Sequence, residues 1–151
     1  MDEILPDEVL LGKAEIIERC LARIEEVYRG SEDKLETDFI IQDSILLNIQ
    51  RMCEASIDAA MHIVRLQKLG IPKNSRQAFT LIAKAGVLDA QLARHLEAMV
   101  GFRNIAVHNY TEIDMGIVRS IIEYRLSDLK AFSKLLLMYK FPSMQEEDRN
   151  V

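Results

Sequence analysis

Proline and glycine are scarce, three and six in 151 residues, which excludes a collagen-like chain and long low-complexity disorder. Long hydrophobic runs are missing too. Stretches such as Leu135 to Tyr139 fall far short of the roughly 18 residues that suggest a membrane span. Cysteine is limited to Cys20 and Cys53, too few for a disulfide scaffold or a zinc cluster. The first residues, Met1-Asp2-Glu3-Ile4-Leu5-Pro6, are acidic where a secretory signal is basic, so a cytoplasmic location with no membrane contact is expected. Basic charge is also in deficit: 19 Lys and Arg against 24 Asp and Glu give a net charge of −5. That excludes a polybasic protein that coats nucleic acid indiscriminately, so any nucleic-acid contact must be local.

What is present is a chain 49% hydrophobic and 28% charged, able to bury a core and keep a charged surface. Its length suits one domain, expected over 1–151 with a flexible polar tail at 142–151. The hydrophobic residues recur at helical spacing throughout. Ile17, Leu21, Ile24 and Tyr28 make one stripe, with Glu15, Glu18, Glu25 and Glu26 mostly opposite, predicting a helix from about Glu8 to Arg29. A longer helix is expected from Thr37 or Asp38 to about Leu69, its face set by Ile41, Ile45, Ile49, Cys53, Ile57, Met61 and Val64. Gly70-Ile71-Pro72 stops it. Asn74 or Ser75 caps a short third helix, closed by Gly86. Asp89 caps a fourth that continues through Gly101 to about His108, where the missing side chain suits a close helix crossing. Asp114 caps a last helix, Met115 to about Lys140. These elements predict an all-α, up-and-down bundle of about five helices.

Packing does not account for one segment, Gly101-Phe102-Arg103-Asn104-Ile105-Ala106-Val107-His108-Asn109-Tyr110. It sets Arg, Asn, His and Tyr around a small apolar centre at a helix end. Asn104 and His108 are four apart and share a helical face. Arg103 and His108 are five apart, roughly 140° around the axis. They meet only if the Arg reaches around, the last turn distorts, or a second chain brings another copy. The residue types suit phosphodiester cleavage in RNA. A His takes the 2′-OH proton near neutrality, and an Arg fork holds the phosphate and offsets developing charge. No metal and no cofactor is called for. One His cannot be base and acid at once, which makes a dimer pooling two segments attractive. The plainer alternative is that Arg and His⁺ at a helix end merely suit its dipole.

Elsewhere the residues read as structural. His62 and His95 lie beside apolar stripes, as packed or half-exposed side chains. Cys20 and Cys53 sit on stripes as small core residues. Arg119, Arg125, Lys130, Lys134 and Lys140 read as a solvated helix face in preference to an RNA groove.

The run RNIAVHNY resembles the signature of HEPN-domain proteins, and Ile71 to Tyr110 is most similar to the HepT-like branch. That resemblance implies a dimeric ribonuclease toxin whose two motifs face a shared cleft. It implies a catalytic pair Arg103 and His108, a supporting Asn104, and a Tyr110 that a nucleotidyltransferase antitoxin of the MntA type modifies with AMP. RNA, the antitoxin and a second copy are the implied partners, the dimer standing within a larger hetero-oligomer. A non-catalytic HEPN module that binds nucleotide or RNA, or a helical scaffold for a transferase, is the competing reading.

Overall fold

The computed structural model describes residues 7–108 and 113–140, with the backbone alone at 107–108. The tail expected over 142–151 lies outside the described residues. Six α-helices follow in order: α1 Glu8–Tyr28, α2 Phe39–Leu66, α3 Ser75–Lys84, α4 Ala90–His108, α5 Met115–Tyr124 and α6 Leu126–Met138, with a short 3₁₀ turn at Glu32–Lys34 between α1 and α2. No strand occurs among the described residues, so the all-α expectation holds.

The helix starts follow the expected chemistry. Asp38 accepts from the N–H groups of Ile40 and Ile41, Asn74 from Gln77, Asp89 from Leu92 and Asp114 from Gly116. Each meets donors that the first turn of a helix cannot satisfy. α2 ends three residues earlier than expected, at Leu66, because Lys68 already takes a left-handed φ of 54°. Gly70 and Gly86 adopt φ of 114° and 83°, the conformation that lets each segment turn back sharply.

α1 packs chiefly on α2 and then on α6, and α3 packs against α2 and α4. The centre is filled by Leu10, Ile17, Ile24, Ile45, Ile49, Met52, Ile63, Phe79 and Phe132, all essentially inaccessible. Phe79 of α3 meets Phe132 of α6 edge-on at 5.8 Å between ring centres. α2 and α4 run antiparallel: the Cys53 thiol donates to the Met99 carbonyl, and Ala106 lies beside Leu46 and Leu47.

The expected last helix is broken. Arg125 closes α5 and α6 begins at Leu126, with the Asp128 N–H bonded to the Arg125 carbonyl at 3.0 Å. No Gly or Pro stands between Gly116 and Pro142, so local propensity gives no warning of the break. Tertiary contacts hold the two pieces. Glu123 at the end of α5 accepts from the Tyr28 hydroxyl of α1 at 2.8 Å, and Asp128 at the start of α6 pairs with His95 of α4 at 3.1 Å. The close crossing expected at Gly101 is also replaced by something different. A Cβ there would lie 2.6 Å from Nη2 of Arg76, so the space is taken by an α3 side chain and not by a neighbouring backbone.

α1 is fastened at its start by Asp7, which caps it at the Leu10 N–H and receives His62 Nε2 on both carboxylate oxygens at 3.0 and 3.1 Å. Burial opposes the charge on Asp7, but the hydrogen bonds from His62 and the backbone outweigh it, and the carboxyl titrates below its ordinary range. A lowered folded-state value means that its stabilisation is complete above the ordinary carboxylate range and is lost as pH falls through the folded value. Asp7→Ala is therefore expected to cost about 1 kcal/mol at neutral pH, lowering Tm by roughly 2–4 °C. The deficit should shrink in acid. Thermal melts of both chains across pH check this, and a deficit that does not vary with pH contradicts it.

Candidate functional site

The motif residues fall where α4 leaves the core. Met99 and Val100 are buried, Gly101 to Arg103 are half-buried, and Asn104 and Ile105 are exposed before Ala106 turns inward again. Asn104 thus faces solvent on the last turns of the helix. His108 is the final helical residue; its side chain lies outside the described residues, and so does Tyr110. The backbone carries Arg103 and His108 on one helix, five residues apart, with no break between them. An undistorted helix does not bring them to one side. Pairing of Arg103 with its own His108 is therefore not supplied by the helix backbone alone.

Arg103 does not extend freely. Its side chain is 17% exposed, and Nη1 lies 3.3 Å from Oε1 of Glu54 on α2. Its Nε is buried with no acceptor among the described residues. Below the pair sits Cys53. Burial pushes its thiol up to about 12, against which the neighbouring Arg103 charge works only in part. Cys53 is therefore a protonated packing residue near neutrality and no nucleophile. Burial also raises Cys20.

Glu54 escaped the sequence reading, since it is one more acid on a long helix until the fold sets α4 against it. The only trace is its register: Leu47, Gln50, Arg51, Glu54 and Asp58 fall on one face of α2, beside the core stripe. Arg76 escaped as well, although it places a second guanidinium at Gly101, two residues before Arg103.

The remaining candidates are structural, as expected. His62 serves Asp7. His95 lies between Asp128 and Arg125. Arg119 makes a forked pair with Glu36 at 2.6 and 2.7 Å and donates to Tyr28 at 2.8 Å, and Lys130 pairs with Glu25 at 2.6 Å. Arg119 and Lys130 are thus tied to acids, while Lys134 and Lys140 stay exposed, as expected of a solvated face. No helix among the described residues is long and apolar enough to cross a membrane.

An all-α bundle that carries Arg and His five apart in the closing turns of its fourth helix has the arrangement of a HEPN-domain protein. The chain matches the family model Ribonuclease HepT-like over residues 17–136, and it belongs to that family. It is similar to the mRNA nuclease HepT of Shewanella oneidensis, 44% identical over 126 residues, spanning 83% of this chain and 94% of that one. It is also similar to the tRNA nuclease HepT of Aphanizomenon flos-aquae, 26% identical over 140 residues, 93% of this chain and 95% of the relative. A solved structure of a tri-AMPylated Shewanella oneidensis HEPN toxin in complex with its MNT antitoxin superposes with a TM-score of 0.82 at 42% identity, covering 86% of this chain and 97% of that one. The all-α fold is thus that of a HEPN toxin.

The Arg103–Glu54 pair should register as a coupling in stability. With Glu54 half exposed, solvent screening keeps it small, about 1 kcal/mol. Urea unfolding of the parent, Glu54→Gln, Arg103→Ala and the double variant measures it. Simple additivity of the two single losses contradicts the pairing.

Proposed function

We propose that this chain is the endoribonuclease toxin of a toxin–antitoxin pair, that it cuts RNA without a metal using Arg103 and His108, and that a nucleotidyltransferase silences it by adding AMP to Tyr110. The observation that carries the reading is Arg103. A guanidinium held by Glu54 at 17% exposure, in the closing turns of the helix that ends at His108, has the preorganisation that phosphate recognition needs. Family membership supports it, as do relatives that act on mRNA and tRNA and a neighbour bound to an MNT antitoxin.

The chemistry follows from the residue types. His108, neutral, takes the proton of a 2′-OH. The oxygen attacks the adjacent phosphorus, and the bond to the 5′-oxygen of the next nucleotide breaks. The products are a 2′,3′-cyclic phosphate and a 5′-hydroxyl, the latter protonated by an acid. Arg103 donates to the non-bridging oxygens and offsets the charge that grows there. Asn104, exposed on the same helical face as His108, orients the imidazole or the phosphate. The acid is most simply His108 of a second copy, since one imidazole cannot fill both roles in a single step. The homodimer works on RNA in the cytoplasm, and with its antitoxin it forms a hetero-oligomer.

AMP on Tyr110 would place a phosphate and a base two residues beyond His108. It would compete for Arg103 and repel RNA, a local switch of charge and bulk.

The decisive assay is RNA cleavage in EDTA by the unmodified chain, its intact mass verified, beside His108→Ala. Cleavage is expected from the parent alone, with the loss at His108→Ala reaching at least 10²-fold. Equal cleavage by both removes His108 from the chemistry, and RNA bound but uncut by the parent points to a binding module. Tyr110→Phe is expected to cut RNA like the parent and to escape silencing when the antitoxin and ATP are supplied. A folded but inactive Tyr110→Phe would make the hydroxyl part of the chemistry.

A further inference from the structure

A groove of about 670 Å³ runs between α1 and α2. Nothing in the cleavage chemistry accounts for it. Its α1 wall carries Lys13, Arg19 and Arg23, and its α2 wall carries Asn48, Gln50 and Arg51. Glu54 and Asp58 are the acids that line it, so the groove is net positive in a chain of net charge −5. The acids on α1 do not cancel this. Arg19 and Arg23 meet Glu15 and Glu26 only at 3.6 and 3.7 Å, on exposed side chains where such pairs contribute little and exchange readily. Lys13 pairs with Asp58 at 3.2 Å, while Arg51 makes no ion pair among the described residues.

The groove meets the candidate site at two places. Glu54 lines it and also holds Arg103. Leu47 and Gln50 line it and also border a second depression that ends on Ala106, between Arg103 and His108. A strand whose phosphate sits at Arg103 thus has a cationic path leading away along α2. The walls offer guanidinium and amide donors together with exposed aliphatic surface at Leu47, and no aromatic ring. That set suits the sugar–phosphate backbone of a flexible strand, and it holds no ring on which a base would stack.

We infer that the α1–α2 groove is a subsite for single-stranded RNA, in which Arg23 and Arg51 bind backbone phosphates on the strand flanking the cut. This rests on the ribonuclease reading above, and it adds where the rest of the substrate lies. It implies that flanking length, more than flanking sequence, governs affinity.

The test uses the full chain and a short fluorescent oligoribonucleotide of mixed sequence carrying 2′-O-methyl groups, which binds but offers no 2′-OH to attack. Affinity is measured across salt concentrations for the parent, Arg23→Gln/Arg51→Gln, and Lys134→Gln as a control on α6, outside the groove lining. The double variant should bind on the order of tenfold more weakly, and the slope of log affinity against log salt should fall by about 1.4, the loss of two single-strand phosphate contacts. The Lys134→Gln chain should match the parent. Circular dichroism checks folding, and Lys13→Gln/Arg19→Gln gives an independent pair should the first variant fail to fold. Unchanged affinity and slope, in a parent that still cuts RNA, overturn the groove and leave the nuclease reading intact. A parent that neither binds nor cuts RNA ends both. A double variant with normal RNA binding and an altered mass in solution overturns the inference in favour of a protein-binding face.

Discussion

A helix of 28 residues, α2, carries two duties on adjacent faces. One face, from Ile45 through Ile49, Met52 and Ile63, is sealed in the core against α1, α3 and α4. Beside it, Leu47, Gln50, Arg51 and Glu54 face outward, and Glu54 holds Arg103 of α4 at 3.3 Å. Because the helix is rigid over that length, the packing that fixes its inner residues also fixes the position of the Glu54 carboxylate. Arg103 is therefore placed by the hydrophobic core at one remove. The antiparallel register of α2 and α4 is set by apolar contacts, with the Cys53–Met99 hydrogen bond between them. It sets the motif on the closing turns of α4.

Charge is used locally. The chain is acidic overall, yet four cations, Lys13, Arg19, Arg23 and Arg51, line the α1–α2 groove. The cations Arg119 and Lys130 are bound to acids and serve the fold. Such a distribution suits a protein that must hold one stretch of RNA without adhering to nucleic acid at large. It also suits silencing by an added phosphate, since the modification would act beside a guanidinium that the core has positioned.

Much of the fold was legible because it is written in local chemistry. Asp38, Asn74, Asp89 and Asp114 cap helices for reasons visible in a few neighbouring residues, and the apolar stripes give helix faces directly. The break at Arg125 was not legible, since its causes are partners distant in sequence, Tyr28 for Glu123 and His95 for Asp128. The space at Gly101 was anticipated, but its occupant, Arg76, was not. The same division runs through the site. Arg103 and His108 stand out by spacing, whereas Glu54 acquires meaning only when α4 folds back onto α2. Tyr110 lies outside the described residues and rests on resemblance alone.

The central claim is that substrate phosphate is received by the guanidinium that Glu54 holds. A crystal structure of the chain with an RNA carrying a single 2′-deoxy nucleotide at the cleavage position addresses it most directly. A non-bridging oxygen of that phosphate should lie within about 3 Å of the Arg103 guanidinium, with the 2′ position turned toward a His108 imidazole. RNA seated instead along α5 and α6, with the Arg103–Glu54 pair untouched and far from any phosphate, would contradict the account.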